Sequence, residues 1–348
     1  MNTRLPTVIC FVLLLVATPV MIVNQKKAIA KPASNSCVHL GRLVSIRGQV
    51  QLKRQNWSNY RSTAIGAALC QGDLLQPNRG ARAIVQCADP NQNLWIVPDN
   101  IPSGVASGCH LPTQPVHTTT QPITPTRDPF LNHIPYIIYP HRTWLLSHKP
   151  TLRWTAVPGA NNYVVRVSGP GINWVREVNT TSIVYPGEPP LKPVEEGYLL
   201  TVEADSGGPP TKATFGLLER QQATLVQAAA ERITQADLTP EAQTLALAEL
   251  YIGRGLIAEA TQLLEAATGS QIPAVHYLLG ELYAQIELFP QAVASYQQAS
   301  KLALINKDTE AQAMAAYRLA EVYQVLGQED KAAYWSKQSR IVYSKLLV

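Results

Sequence analysis

The sequence predicts a multidomain protein, all-β in its N-terminal half and α-helical in its C-terminal half. Three observations carry this. Residues 37–109 hold four cysteines, with none after them, in a stretch where apolar and polar residues alternate. Short aromatic and β-branched runs separated by Gly and Pro fill residues 136–217. After Leu217, Ala, Leu, Glu and Gln dominate, and three segments align without gaps at spacings of 32 and 40 residues. At 348 residues and 46% hydrophobic content the chain has material for two or three packed domains, which excludes disorder for most of it.

Residues 1–30 read as an export signal. Arg4 precedes the apolar run Val8–Val23, and Ala28-Ile29-Ala30 supplies a small-x-small site, so cleavage is expected after Ala30. Lys26-Lys27 departs from the pattern, and an uncleaved anchor is the alternative; the apolar run is short for a bilayer span. With cleavage no integral membrane domain is expected. Both readings place residues 31–348 outside the cytoplasm, periplasmic or secreted. Cys37, Cys70, Cys87 and Cys109 in an exported chain predict two disulfides. The expected pairs are Cys37–Cys70 and Cys87–Cys109, with Cys70–Cys87 as the rival if a turn at 77–80 sets those two opposite each other. No CxxC pair occurs, so a zinc site is not expected.

Residues 31–110 read as a small β domain. Val44, Ile46, Val50 and Leu52 alternate with mostly polar neighbours, the period of a strand with one buried face. A three-residue loop at 47–49 would pair Ile46 with Val50 and Val44 with Leu52. A second hairpin is expected from Leu74-Leu75 through the turn 77–80 to Ala83–Val85, and another strand at Leu94–Val97. Gly72-Asp73 opening one strand and Gly80-Ala81-Arg82-Ala83 opening its partner resemble the FecR-like domain of exported bacterial proteins over about residues 41–97. That resemblance implies an all-β envelope domain and no enzymatic activity. Arg42, Arg47, Lys53, Arg54, Arg61, Arg79 and Arg82 give the domain a basic character. They read either as a solvated sheet face or as a patch for an anionic envelope glycan or lipid head group.

Residues 111–134 form a linker, rich in Pro and Thr. His117, His133, His141 and His148 lie in or near it at spacings that match no metal motif. Residues 135–217 read as a β-sandwich, with strands expected at Tyr136–Tyr139, Pro150–Trp154, Tyr163–Val167, Trp174–Val178, Ile183–Tyr185, Tyr198–Glu203 and Thr214–Leu217. The segment LRWTAVPGANNYVVRV resembles the start of fibronectin-III/Ig-like domains, which implies a buried Trp154 packed against Tyr163.

Residues 218–348 read as stacked helical hairpins. The aligned segments are ELYIGRGLIAEA (249–260), ELYAQIELFPQA (281–292) and EVYQVLGQEDKA (321–332). Leu247, Leu279 and Leu319 each precede a Tyr by four residues and share its helix face. Ala248, Gly280 and Ala320 are small, as are Ala260, Ala292 and Ala332 on the second helices, so close helix contacts are expected. Gly255 and Gly327 suit a helix C-cap, and Thr239-Pro240 an N-cap with a first-turn proline. A preceding helix, Arg220–Ile233, would place Leu225, Val226, Ala229 and Ile233 on one face. These residues resemble the tetratricopeptide family, about three repeats over 241–340, and the whole order resembles exported cyanobacterial proteins that join a FecR-like domain to such repeats. The resemblance implies a peptide- or protein-binding groove lined by the first helix of each repeat. In this register the groove holds Leu245, Glu249 and Ile252, then Tyr277, Glu281 and Gln285, then Tyr317, Glu321 and Gln324. Glu249, Glu281 and Glu321 recur at one position, so an acidic stripe for a basic or amide-rich peptide is expected.

No Walker loop, GxSxG, HExxH or dinucleotide glycine motif is present, and no catalytic, cofactor or metal site is expected. The functional expectation is an exported, non-enzymatic adaptor that binds partner proteins through the repeats. The alternative is an envelope sensor or a carbohydrate- or peptidoglycan-binding protein that acts through the β domains, with the helices as an oligomerisation platform. No nucleic-acid partner is expected. Residues 31–111 carry net +5 and residues 218–348 net −4, an asymmetry that predicts separate modules with separate partners.

Overall fold

In a computed structural model, residues 37–89, 91–110 and 133–346 are described. The export signal with its Ala30 site and the 111–132 part of the linker lie outside these residues. The described chain is rich in β-sheet up to Leu217 and helical from Arg220 onward.

The first module contains β1 (His39–Arg47), β2 (Val50–Lys53), β3 (Arg61–Ser62), β4 (Ala68–Cys70), β5 (Leu74–Pro77), β6 (Arg82–Cys87), β7 (Leu94–Val97), β8 (Ser103–Gly104) and the single turn α1 (Val105–Gly108). Two four-stranded sheets, β4-β1-β6-β7 and β3-β2-β5-β8, face each other across Leu40, Leu43, Leu69 and Val85 on one side and Val50, Leu52 and Leu75 on the other. This corrects both expected hairpins. β1 pairs with β4 and β6 while β2 pairs with β3 and β5, so Ile46 does not face Val50, nor Val44 Leu52. The chain crosses between sheets at residues 48–49 and again at 78–81, because two small stacked sheets cover more apolar surface than one open ribbon. The alternation over 44–52 also breaks. A register shift between Leu43 and Ser45 turns Val44 away from the module's own core and onto the helices. Disulfides join Cys37 to Cys70 and Cys87 to Cys109, the latter two fully buried.

The second module contains β9 (Ile137–Tyr139), β10 (Thr143–Leu145), β11 (Thr151–Trp154), β12 (Tyr163–Gly169), β13 (Ile172–Val178), β14 (Ser182–Val184), β15 (Tyr198–Ala204) and β16 (Thr211–Leu217). A five-stranded sheet, β10-β16-β15-β12-β13, packs on a three-stranded one, β14-β11-β9. Trp154 is buried edge-on against Tyr163 with ring centroids 5.6 Å apart. The Tyr163 hydroxyl accepts from the Val157 amide at 2.9 Å, which satisfies the polar end of a core side chain. Strand β10, parallel to β16, was not anticipated from the sequence.

Seven helices follow: α2 (Arg220–Gln235), α3 (Pro240–Gly253), α4 (Ile257–Ala266), α5 (Pro273–Gln285), α6 (Phe289–Ile305), α7 (Thr309–Val325) and α8 (Glu329–Ser344). Three-residue turns join α3 to α4, α5 to α6 and α7 to α8. Gly255 and Gly327 in these turns take positive φ, at 70° and 67°, and Glu287 does so at the matching place between α5 and α6. The Thr239 hydroxyl accepts from the Ala242 amide at 3.3 Å with Pro240 next in line. On α2, Val226, Ala229 and Ile233 are buried, but Leu225 is exposed: it lies one residue outside the stripe that meets α3. The longer, 40-residue spacing is taken up by α6 and α7, 17 residues each.

Gly280 meets the Tyr296 ring of α6 so closely that an added Cβ would lie 2.7 Å from it. Ala292 is fully buried in the same layer with Phe289, Tyr296 and Tyr323. Ala292→Leu is therefore expected to overpack this layer and destabilise the array by about 1–3 kcal/mol. Thermal unfolding of the intact protein checks it; an unchanged transition would place Ala292 away from a close helix contact.

Candidate protein-interaction site

The face lined by α3, α5 and α7 is where the repeat reading puts the groove. In the structure the first β module lies against it, at Leu245 and Glu249 of α3, Ala274 of α5 and Glu310 of α7. Arg42 on β1 forms an ion pair with Glu249 of α3 and donates to the Gly66 carbonyl at 2.7 Å. Arg54, just after β2, pairs with Glu310 of α7 at 2.7 Å and with its own module's Asp73. Arg47 and Arg82 both reach Asp237, in the turn between α2 and α3, at 2.9 Å. Arg232 of α2 donates to the Asn91 carbonyl at 2.9 Å. Between the charges, Val44 and Ile84 join a core that contains Leu245, Ala246 and Leu278. Gly66 lies against Ala274 of α5, where a methyl on Gly66 would collide with the Ala274 side chain. At the far end, Leu346 and Tyr343 pack on the module's own core.

The expected groove residues are thus placed as follows. Leu245 is buried under the module, and Glu249 is half-buried in its pair with Arg42. Tyr277 is buried with its ring 5.7 Å from that of Tyr296. Glu281 is buried and accepts from Arg318 at 2.6 and 3.0 Å and from the Tyr296 hydroxyl at 2.6 Å. Tyr317 donates to Glu321 at 2.9 Å, and Arg318 pairs with the same carboxylate at 2.6 Å. Gln285 is exposed and Gln324 half-buried. The free acidic stripe is corrected on this point: each of its three carboxylates already holds an arginine. Burial pushes the Glu281 carboxyl up, and the Arg318 guanidinium and Tyr296 hydroxyl pull it back.

Sequence reading missed Asp237, Glu310 and Arg318, and it set the arginines of the β module in solvent. The opposite net charges of the two regions were the available signal. The expectation of separate modules is corrected too. Arg42, Arg47, Arg54 and Arg82, four of the seven basic residues, face carboxylates of the helical region. Arg61 lies over the Trp57 ring instead, 5.7 Å from its centroid.

His39 sits beside this charged seam. Burial, and then the neighbouring Arg42, lower its pKa from 6.5 to about 4. An imidazole that stays neutral in the folded state while the unfolded chain takes up a proton contributes stability above pH 6.5 that is lost as pH falls through 4. His39→Asn is expected to flatten this slope. Urea midpoints of both proteins at pH 7 and pH 5 check it; equal slopes would contradict it.

The second module docks differently, against α4 and the α5–α6 turn. The Thr143 hydroxyl accepts from the Ile257 and Ala258 amides at 2.9 and 3.3 Å, capping α4, whose own Leu256 cannot. Glu259 accepts from the Leu146 amide at 2.8 Å, and burial pushes its carboxyl up. Glu265 accepts from Arg153 at 2.9 Å and from Tyr283 at 2.6 Å. Among the described residues no group of three or more His, Cys, Asp and Glu side chains is placed to hold a metal ion, and no helix is long and apolar enough to cross a membrane.

No family model matches the chain. No curated protein matches it either. Among solved structures, BtubC (BKLC) from P. vanneervenii is 19% identical over 36% of this chain and 56% of its own, with a TM-score of 0.32. A kinesin light chain with nearly identical TPR-like repeats, from Podosopora anserina, is 19% identical over 36% of this chain and 90% of its own, with a TM-score of 0.20. The chain thus spans a little over half the length of the first of these structures.

Proposed function

We propose that this chain is an exported, non-enzymatic scaffold that recognises partner proteins through its helical array. One observation carries the reading. The face formed by α3, α5 and α7 is already engaged with a folded protein surface, the first β module, through arginine–carboxylate pairs at Glu249 and Glu310 around a small apolar centre. A surface that selects a β module in cis has the chemistry to select a protein in trans. Helical hairpins joined by three-residue turns support the tetratricopeptide assignment, and two facing sheets in each β module support the FecR-like and fibronectin-III-like ones. Paired cysteines fit an oxidising compartment outside the cytoplasm.

Cross-linking the full chain in an exported-protein extract, followed by mass spectrometry, tests this. Reproducible cross-links from α3, α5 or α7 to a defined protein are expected. Cross-links to no protein at all would overturn the scaffold reading.

A further inference from the structure

The two seams between sheets and helices differ in kind. The sandwich is fastened by a main-chain bond, Trp144 amide to Gly255 carbonyl at 3.0 Å, by the Thr143 cap on α4, and by an apolar core that takes in Ala258, Ile286 and Leu288. Among the described residues, no main-chain to main-chain hydrogen bond joins residues 37–110 to the helices. The first module is held by side-chain charges around Val44 and Ile84 and by Leu346 and Tyr343 against its own core, and a cavity remains in the seam between Gly66, Ala67, Ala274, Tyr277 and Met314.

We infer that the first β module is the resident occupant of the face formed by α3, α5 and α7, and that a partner protein gains this face by displacing it, presenting arginines from a β-sheet surface to Glu249 and Glu310. The inference rests on the scaffold reading for the partner, and on the seam alone for the displacement. The chemistry of the partner follows from how the resident arginines are held. Arg42 is fixed by the Gly66 carbonyl, and Arg54 by Asp73, before either meets a helix. Both guanidiniums therefore arrive with their rotamers set. A flexible basic peptide would have to order two long side chains on binding, which costs conformational entropy. The covalently tethered module competes at high effective concentration, so an outside ligand must match this preorganisation to displace it.

Two variants of the full chain separate the steps. Arg42→Gln with Arg54→Gln frees the module but leaves both carboxylates on the helices. Glu249→Gln with Glu310→Gln frees it and removes them. Both are expected to raise the radius of gyration in solution scattering and to lower hydrogen-exchange protection of α5 by about tenfold or more, while β15 of the sandwich keeps its protection as the control for folding. With the exported-protein extract as probe, the arginine variant is expected to cross-link more partner than the wild type, and the glutamate variant none. Unchanged scattering and α5 exchange in both variants would overturn the displacement. Equal partner cross-linking by the two variants would overturn the arginine specificity. Failure of every form to cross-link a protein would count against the scaffold reading and the partner chemistry, while the scattering result would still decide whether the module is releasable.

Discussion

Replacing Arg318 with Met is expected to destabilise the helical array by about 3–5 kcal/mol, because it strands a buried carboxylate. Glu281 is 1% exposed and takes two bonds from Arg318. Burial already pushes its carboxyl up, and loss of the guanidinium pushes it further. A carboxyl whose folded pKa lies above its unfolded value loses stability as pH rises between the two. The deficit of Arg318→Met should therefore be largest at pH 7 and shrink toward pH 5. Adding Glu281→Gln should recover much of it, since a neutral amide no longer needs the counter-charge. Urea unfolding of the three variants at the two pH values measures this. A deficit below about 1 kcal/mol, of the size expected for an exposed pair, would mean that Glu281 is solvated and not part of the packed layer.

The second large effect is expected in the first β module. Replacing Cys87 and Cys109 with Ser should cost about 2–5 kcal/mol. Both side chains are fully buried within the module's core, and the bridge ties β6 to the turn that follows β8. A module of about seventy residues with two short sheets has little apolar core to offset that loss. Thermal unfolding of the double variant, together with thiol titration of the wild type, decides the matter. The wild type should show no titratable thiol at these four cysteines without reductant. A count near four would remove the disulfides from the account.

Much of the architecture was legible in the sequence because local periodicity carries it. The helix pairs followed from small residues and tyrosines at fixed spacing, and the sandwich strands from aromatic runs between turns. Strand pairing in the first module was not legible. β1 is buried on both faces, one by its own core and one by α3, so a two-residue period could not say which face was inside. The bulge between Leu43 and Ser45 then reversed the alternation. The arginine partners of the groove carboxylates were hidden for a related reason. Glu249, Glu281 and Glu321 do recur at one position, but the recurrence marks arginine pairing within the fold. Glu281 meets Arg318 across 37 residues and Glu249 meets Arg42 across 207, distances over which no local pattern gives notice. The charge asymmetry between the two regions was visible, and part of it is used in the ion pairs of Arg42, Arg47, Arg54 and Arg82 with Glu249, Asp237 and Glu310.

The claim on which this account turns is that the first β module covers the α3–α5–α7 face. Carbodiimide labelling of carboxylates in the intact protein tests it most directly. Glu249 and Glu310, 13% and 24% exposed under the module, should stay protected while the exposed Glu241 and Glu329 are labelled. Labelling of Glu249 and Glu310 at the rate of Glu241 and Glu329 would show the face open and contradict the account.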